Sequence, residues 1–268
     1  MIIYRRLRRP FTGNFVGSTK FCIVEQTLTY TTLQNFVDPT KFPVNGLLRR
    51  LYIITSSMLN AANRSLREQR KDLANEVLHM ENEVDRIYWL VVRQLLLAIR
   101  DRGIGKKLGI EHPLHIVGSR TVAKFLEEIS DCIEDIASEI LRLIEMGYSP
   151  NEQVLSSVYE FFELIEDIYS KAVKSFFQLD LKLANEAAQR VDEADLIVDN
   201  LTEKIFTTIR QCSEDPSECD TPNLNYYLSL RTIIGTLGQI ADHCSTICEI
   251  TINRYLEGPT EICRFENT

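Results

Sequence analysis

The chain contains one stretch of itself twice. "RTVAKFLEEISDCIEDIA" from Arg120 and "RTIIGTLGQIADHCSTIC" from Arg231 align from end to end without gaps. The alignment matches Arg120 with Arg231, Leu126 with Leu237, Ile129 with Ile240, Asp131 with Asp242 and Ile136 with Ile247. A segment repeated so far along the chain means that one structural unit has been built twice, which narrows the fold more than a single motif does. Both copies place apolar residues at helical spacing, so the repeated unit is helical.

Six long helices are legible around this repeat. Leu47, Leu51, Ile54 and Met58 mark the first from Asn45 onward. Leu73, Val77, Met80, Val84, Ile87 and Val91 mark the second, from near Lys71 to a stop at Gly103. A loop with Gly105, Gly109 and Pro113 follows, and the third helix carries Val122, Ile129, Ile133, Ile140 and Leu143 up to Gly147. Ser149, Pro150 and Glu152 form a capping box that opens a fourth helix reaching about Gln178. The fifth spans about residues 180–211, with Val191, Ala194, Val198, Leu201 and Ile205 inward, and the sixth runs from about Asn223 to Leu256.

Eleven Gly and eight Pro in 268 residues leave room for helices of this length. Long helices joined by short loops pack as antiparallel bundles. The expected fold is all-α: a tandem pair of antiparallel three-helix bundles over residues 44–147 and 148–257. Residues 1–43 differ. "KFCIVEQTLTYTTLQ" alternates and is rich in β-branched residues, so a strand or hairpin is expected around residues 20–33, in a short partly β segment ahead of the bundles. Residues 258–268 form a tail.

Charge and motifs exclude several classes of function. The net charge of -8 provides no overall positive field toward nucleic acid or anionic lipid. One exception is the short basic arm of Arg5, Arg6, Arg8 and Arg9, either a solvated end or a contact arm. The longest apolar run, "IYWLVV", stops at Arg93, well short of the roughly 20 residues of a membrane span. No secretory signal is visible, so a cytoplasmic location is expected. Seven cysteines show no CxxC spacing; Cys212 and Cys219 flank an acidic loop and could bridge, while Cys244 and Cys248 read as buried thiols. "GIGKKLG" lacks the spacing of a phosphate loop, and neither a nucleophile elbow nor HExxH occurs. No enzyme is expected.

The carboxylates are the remaining chemistry. The second helix holds Glu81 and Asp85 four residues apart, and the fifth holds Asp195 and Asp199 at the same spacing, so that Glu81 aligns with Asp195 and Asp85 with Asp199. Each acid follows an inward apolar residue (Met80, Val84, Ala194, Val198) and so borders the buried stripe. The third helix adds Glu127, Asp131 and Asp135; the sixth keeps Asp242 but has Gly238 and Thr246 in place of Glu127 and Asp135. Like charges four apart repel by a few tenths of a kcal/mol, more when desolvated. Cations relieve this, and carboxylate oxygens suit Mg, Ca, Mn or iron, with zinc also accommodated. The alternative is a solvated edge neutralised by Arg86, Lys124 or Arg142. Arg49, Arg50, Arg120 and Arg231 either hold an anion or neutralise these same acids. A di-iron oxidase would need Glu-x-x-His on two helices, and only Glu76 to His79 fits.

The stretches "DEADLIVDNL" with "RTIIGTLGQIADHC", and "ENEVDRIYWLVVRQL" with "RTVAKFLEEISDCIEDIA", resemble the PhoU family of phosphate-uptake regulators. "VDPTKFPVNGLLRRLYIITSSML" is similar to the entry helix of its archaeal branch, and the resemblance covers about residues 38–256. It implies two three-helix bundles related by a pseudo-twofold axis and a homodimer. It also implies a regulator that restrains uptake by the phosphate ABC transporter, with the transporter ATPase or a signalling protein as partner. It further implies multinuclear sites of iron or zinc, with Mg or Mn as alternatives. Carried over, one site uses Glu81, Asp85, Glu127, Asp131 and Asp135, and the other Asp195, Asp199 and Asp242. Some relatives carry a DNA-binding domain ahead of the bundles. Residues 1–43 read as a remnant of one, which makes a DNA-binding transcription regulator one alternative function, the carboxylate-bridged di-iron oxidase being the other.

Overall fold

The computed structural model describes residues 21–26, 31–35, 38–147, 152–214 and 224–256. The basic arm at Arg5–Arg9, the capping residues Ser149 and Pro150, Cys219 and the tail lie outside them, as does the Cys212 side chain. The chain divides into two units, Met1–Lys41 and Phe42–Thr268. In the first, β1 (Phe21–Gln26) pairs antiparallel with β2 (Thr31–Asn35), with a register shift between Ile23 and Glu25. This is the β segment that the alternating pattern predicts. A single 3-10 turn, Pro39–Lys41, completes the described part of this unit.

The second unit is helical: α1 (Val44–Glu68), α2 (Lys71–Arg100), α3 (Arg102–Lys107), α4 (Leu114–Met146), α5 (Glu152–Gln178), α6 (Leu181–Glu214) and α7 (Leu224–Leu256). α1, α2 and α4 pack on one another, and so do α5, α6 and α7. The two sets meet through α4 against α7 and α1 against α5. Gly118 lies against Ile250, with 3.3 Å left for a Cβ, and the Phe125 and His243 rings stand 5.3 Å apart. The Cys132 thiol reaches Gln239 Oε1 at 3.9 Å, so α4 and α7 run antiparallel. Tyr52 with Ser170 and Arg67 with Glu163 show the same for α1 and α5. One apolar core runs through both repeats, with Leu126, Ile129, Ile133, Leu237, Ile240 and Ile247 fully buried.

The structure corrects the register of the second helices. α1 turns into α2 at Gln69 in the left-handed region (φ 53), and α5 turns into α6 at Leu179 in the same conformation (φ 54). The Arg70 amide donates to the Ser65 carbonyl at 3.1 Å and the Asp180 amide to the Ser175 carbonyl at 3.1 Å. Gln69 thus matches Leu179, and the LANE that starts at Leu73 matches the LANE that starts at Leu183, one helical turn away from the alignment that sets Glu81 on Asp195. Burial agrees: Ala74 with Ala184, Val77 with Ala187, Val84 with Ala194, Val91 with Leu201 and Leu95 with Ile205 are all buried. Asp85 therefore corresponds to Asp195, Glu81 to buried Val191, and Asp199 to Trp89. A shift of four residues turns a helix by only about 40°, so an apolar stripe tolerates it and the turn geometry does not.

The end of α2 also differs from expectation. The helix stops at Arg100, and Asp101, in an extended conformation, starts α3 within the stretch expected to be loop. The Asp101 carboxylate accepts from the Gly103 amide at 2.7 Å and the Ile104 amide at 3.1 Å, an N-cap. Gly105 then packs on Ala98, where a Cβ would stand 3.3 Å from a carbonyl oxygen. The turn is tied to α1 by the Val44 amide, which donates to the Leu108 carbonyl at 3.0 Å. Asp101→Ala is expected to lower stability by about 1 kcal/mol, measured by urea unfolding; an unchanged midpoint would contradict the cap.

Candidate functional site

The acids named from sequence separate by depth. Each key aspartate of α4 and α7 lies two residues beyond a fully buried Ile: Ile129 before Asp131, Ile133 before Asp135, Ile240 before Asp242. Two residues carry the chain about 200° around a helix, so these side chains emerge at the rim. Asp131, Asp135 and Asp242 are exposed, as are Asp195 and Asp199 on α6. Asp85 and Glu127 are half-buried. Glu81 is buried, 8% exposed, because in α2 it fills the position that Val191 holds in α6.

In the first repeat the structure brings Asp85, Glu127 and Asp131 together across α2 and α4. Partial desolvation of the Asp131 carboxyl, then the charges of Glu127 and Asp85, push it up to about 7, with Lys124 opposing. Burial likewise raises Glu127, offset by its pairing with Lys124 and reinforced by Asp85 and Glu128. Lys124 binds Glu127 and, at 2.7 Å, Glu128. Partial burial works against the Lys124 ammonium, yet these two carboxylates hold it above its ordinary value. Lys124 therefore compensates one edge of the seam, as the solvated-edge alternative expects, while the Asp131 edge remains electrostatically crowded.

The second repeat reproduces the central pair. Desolvation raises the Asp195 carboxyl, followed by the charges of Asp242, Asp192 and Asp199. Asp85 with Asp131 and Asp195 with Asp242 are thus the same pair in the corrected register. The third acid is missing for a packing reason: at Gly238 a Cβ would stand only 3.0 Å from Val198 Cγ2. Burial, then the charges of Asp135 and Asp131, raise the Cys132 thiol.

The arginines do not converge on the acids. Arg120 stacks on Tyr88 at 5.0 Å and Arg231 on Phe206 at 5.9 Å, while Arg49 covers Phe177 at 4.3 Å. Arg50 pairs with Glu83, and Arg142 with Glu139 at 2.7 Å. His79 is exposed on α2. Sequence reasoning missed Asp192 and Glu128, whose weight comes from neighbours on other turns rather than from spacing. It also missed the cluster of Asp167, Lys171 and Arg190 between α5 and α6.

The donors are hard oxygens suited to a divalent cation. Among the described residues, no three His, Cys, Asp or Glu side chains converge on a single ion position. Cation binding therefore requires the rim carboxylates to turn toward each other, and exposed aspartates lose little in doing so.

The Asp131 effect has a defined sign. Its native carboxyl holds a proton to about pH 7 against an ordinary 3.8. Its contribution to stability is therefore fully present below about pH 4 and lost as pH rises through 7. Asp131→Asn is expected to stabilise the metal-free protein at pH 8 by about 1 kcal/mol, most of the nominal shift being screened at this exposed rim, and to change nothing at pH 3.5. Chemical denaturation with chelator at both pH values measures it; equal or lower stability at pH 8 would contradict the crowding.

Comparison with known proteins follows the repeat. A family model described as "PhoU domain" matches residues 48–140 and again residues 158–251. The "Phosphate-specific transport system accessory protein PhoU homolog 2" of Thermotoga maritima is 22% identical over 212 residues, covering 77% of this chain and 81% of that protein. The crystal structure of PhoU from Pseudomonas aeruginosa superposes with a TM-score of 0.69 at 19% identity, over 80% of this chain and 96% of that one. The phosphate transport system regulatory protein PhoU from Streptococcus pneumoniae gives 0.64 at 17%, over 81% and 94%. At these identities the structural likeness concerns the fold.

Proposed function

The chain belongs to the PhoU family, whose domain is matched once in each repeat, and from that premise we propose that it acts as a metal-dressed adaptor that restrains uptake by the phosphate ABC transporter. What supports this is the recurrence of one electrostatically coupled aspartate pair, Asp85 with Asp131 and Asp195 with Asp242, at equivalent positions of both repeats. Asp85, Glu127 and Asp131 hold the cation of the first repeat, and Asp195, Asp199 and Asp242 that of the second. Iron or zinc is the expected metal, with Mg or Mn as alternatives. The bound ion supplies charge compensation and no reaction. Glu81 supports the first site from the buried side, and Asp135 from the next turn of α4.

The chain's own residues set the surface that results. The buried Ile129, Ile133 and Ile240 fix where the aspartates emerge. Lys124 holds Glu127 and Glu128 in place, and Gly238 lets α6 and α7 approach closely. The adaptor works as a homodimer, with the transporter ATPase or a signalling protein as partner, in the cytoplasm and without catalysis. The relatives named above as a phosphate transport accessory protein and a phosphate transport regulatory protein support the transporter assignment.

The test is uptake of radiolabelled phosphate by host cells with the gene deleted and then restored. Deletion is expected to raise uptake in phosphate-replete medium several-fold. Restoring the wild-type chain returns it to baseline, and the Asp85→Asn, Asp131→Asn double variant does not. Uptake unaffected by deletion would overturn the regulatory reading, and full rescue by the double variant would overturn the role of the first seam.

A further inference from the structure

We propose that the end of the first repeat formed by the end of α2, α3 and the start of α4 is a docking surface for an anionic lipid bilayer. The sequence there is basic in an acidic chain. From Arg93 to Arg120 it carries Arg93, Arg100, Arg102, Lys106, Lys107 and Arg120 against Asp101 and Glu111 alone, while the whole chain has a net charge of -8. Asp101 is engaged with the Gly103 and Ile104 amides. Among the described residues, Arg100, Arg102, Lys106 and Lys107 are exposed and make no ion pair.

Large aliphatic side chains stand among these cations. Leu96 is 56% exposed, Ile99 61%, Leu114 51% and Val117 68%. The elements that carry them adjoin, for a recess of about 420 Å³ is lined jointly by Ala98 of α2, Arg102 and Lys106 of α3, and Ile116 of α4. Ile99 and Val117 follow two of those lining residues directly in sequence. The corresponding stretch of the second repeat, Glu203–Arg231, has Lys204, Arg210 and Arg231 against Glu203, Glu214, Asp215, Glu218 and Asp220, so the basic character belongs to one repeat only.

Charge complementarity selects the occupant. Exposed Lys and Arg alongside exposed Leu, Ile and Val match a layer that is anionic at the headgroups and hydrocarbon a few ångströms below. Long cationic side chains reach headgroup oxygens while the aliphatic ones enter. Among the described residues no helix is long and apolar enough to cross a membrane, so the contact is interfacial. This inference does not rest on the phosphate-transport assignment.

The test is sedimentation of the purified full chain with protein-free vesicles, one set of phosphatidylcholine alone and one of phosphatidylcholine mixed two to one with phosphatidylglycerol. We expect at least a tenfold preference for the anionic vesicles, weakening steeply with salt. The Lys106→Glu, Lys107→Glu variant should lose it, and Ile99→Ser with Val117→Ser should cut it several-fold without the salt dependence of binding disappearing. Failure to bind either vesicle at low salt would overturn the proposal, as would equal binding by the charge-reversal variant. A change in solution mass on Ile99→Ser without vesicle binding would overturn it in favour of a second copy of the chain as occupant. The lipid and salt dependence of the wild-type chain tests the proposal even if a variant fails to fold.

Discussion

Adding a divalent metal at a hundred times its dissociation constant is expected to stabilise the protein by about 2.7 kcal/mol per occupied site. The Asp85→Asn, Asp131→Asn variant should lose the share contributed by the first repeat. Partial desolvation, and then the charges of Glu127 and Asp85, already hold a proton on the Asp131 carboxyl to about pH 7. A cation that replaces that proton relieves the same repulsion, and it binds the native state alone because the unfolded chain does not hold α2 beside α4. Thermal melts in chelator and in Mn, Fe or Zn measure the difference. Equal metal-induced shifts for the wild type and the double variant would place the metal elsewhere.

Gly238→Glu is expected to be net destabilising, although it restores to the second repeat the acid that the first carries at Glu127. Two effects oppose one another. Replacing a helical Gly gains up to about 1 kcal/mol of propensity. The new side chain must begin at a Cβ 3.0 Å from Val198 Cγ2, and overpacking of this kind costs about 1–3 kcal/mol. The packing cost is the larger at the middle of its range, so a net loss on the order of 1 kcal/mol is the expected result. The first repeat has Tyr88 where the second has Val198, so the two seams are packed differently around the same aspartate pair. A neutral or stabilising Gly238→Glu in guanidinium unfolding would show that α6 and α7 are not held as close as they stand.

Much of this is legible in the sequence. The apolar spacing from Leu47 to Met58 and from Val122 to Leu143 marks helices because only one face of each is buried, and those residues form the core, Ile54 packing at its edge. Gly147 ends α4 in the left-handed region (φ 64), as its place after the last inward residue suggests. The gapless repeat of α4 and α7 matches Asp131 with Asp242 correctly, since identical residues anchor it.

The repeat of α2 and α6 is misread by one turn from spacing alone, because few residues there are identical and a helical stripe nearly repeats after four. The burial of Glu81 is hidden by the same slip, as it occupies a core position rather than a rim. Spacing on one helix also says nothing about its neighbour, so the pairing of Lys124 with both Glu127 and Glu128 is visible in the sequence only as one of several neutralising candidates. The stop at Asp101 is concealed because one residue closes α2 with its backbone amide, donated to the Leu97 carbonyl, and opens α3 with its carboxylate.

The proposed cation sits between α2 and α4 at the rim, held by Asp85 and Asp131. Anomalous X-ray diffraction from crystals grown with Mn or Fe tests it most directly. A peak within coordination distance of both carboxylates, repeated more weakly between Asp195 and Asp242, is the expected result. A map with no peak there, and the Lys124 ammonium drawn across to Asp131 in its place, would contradict it.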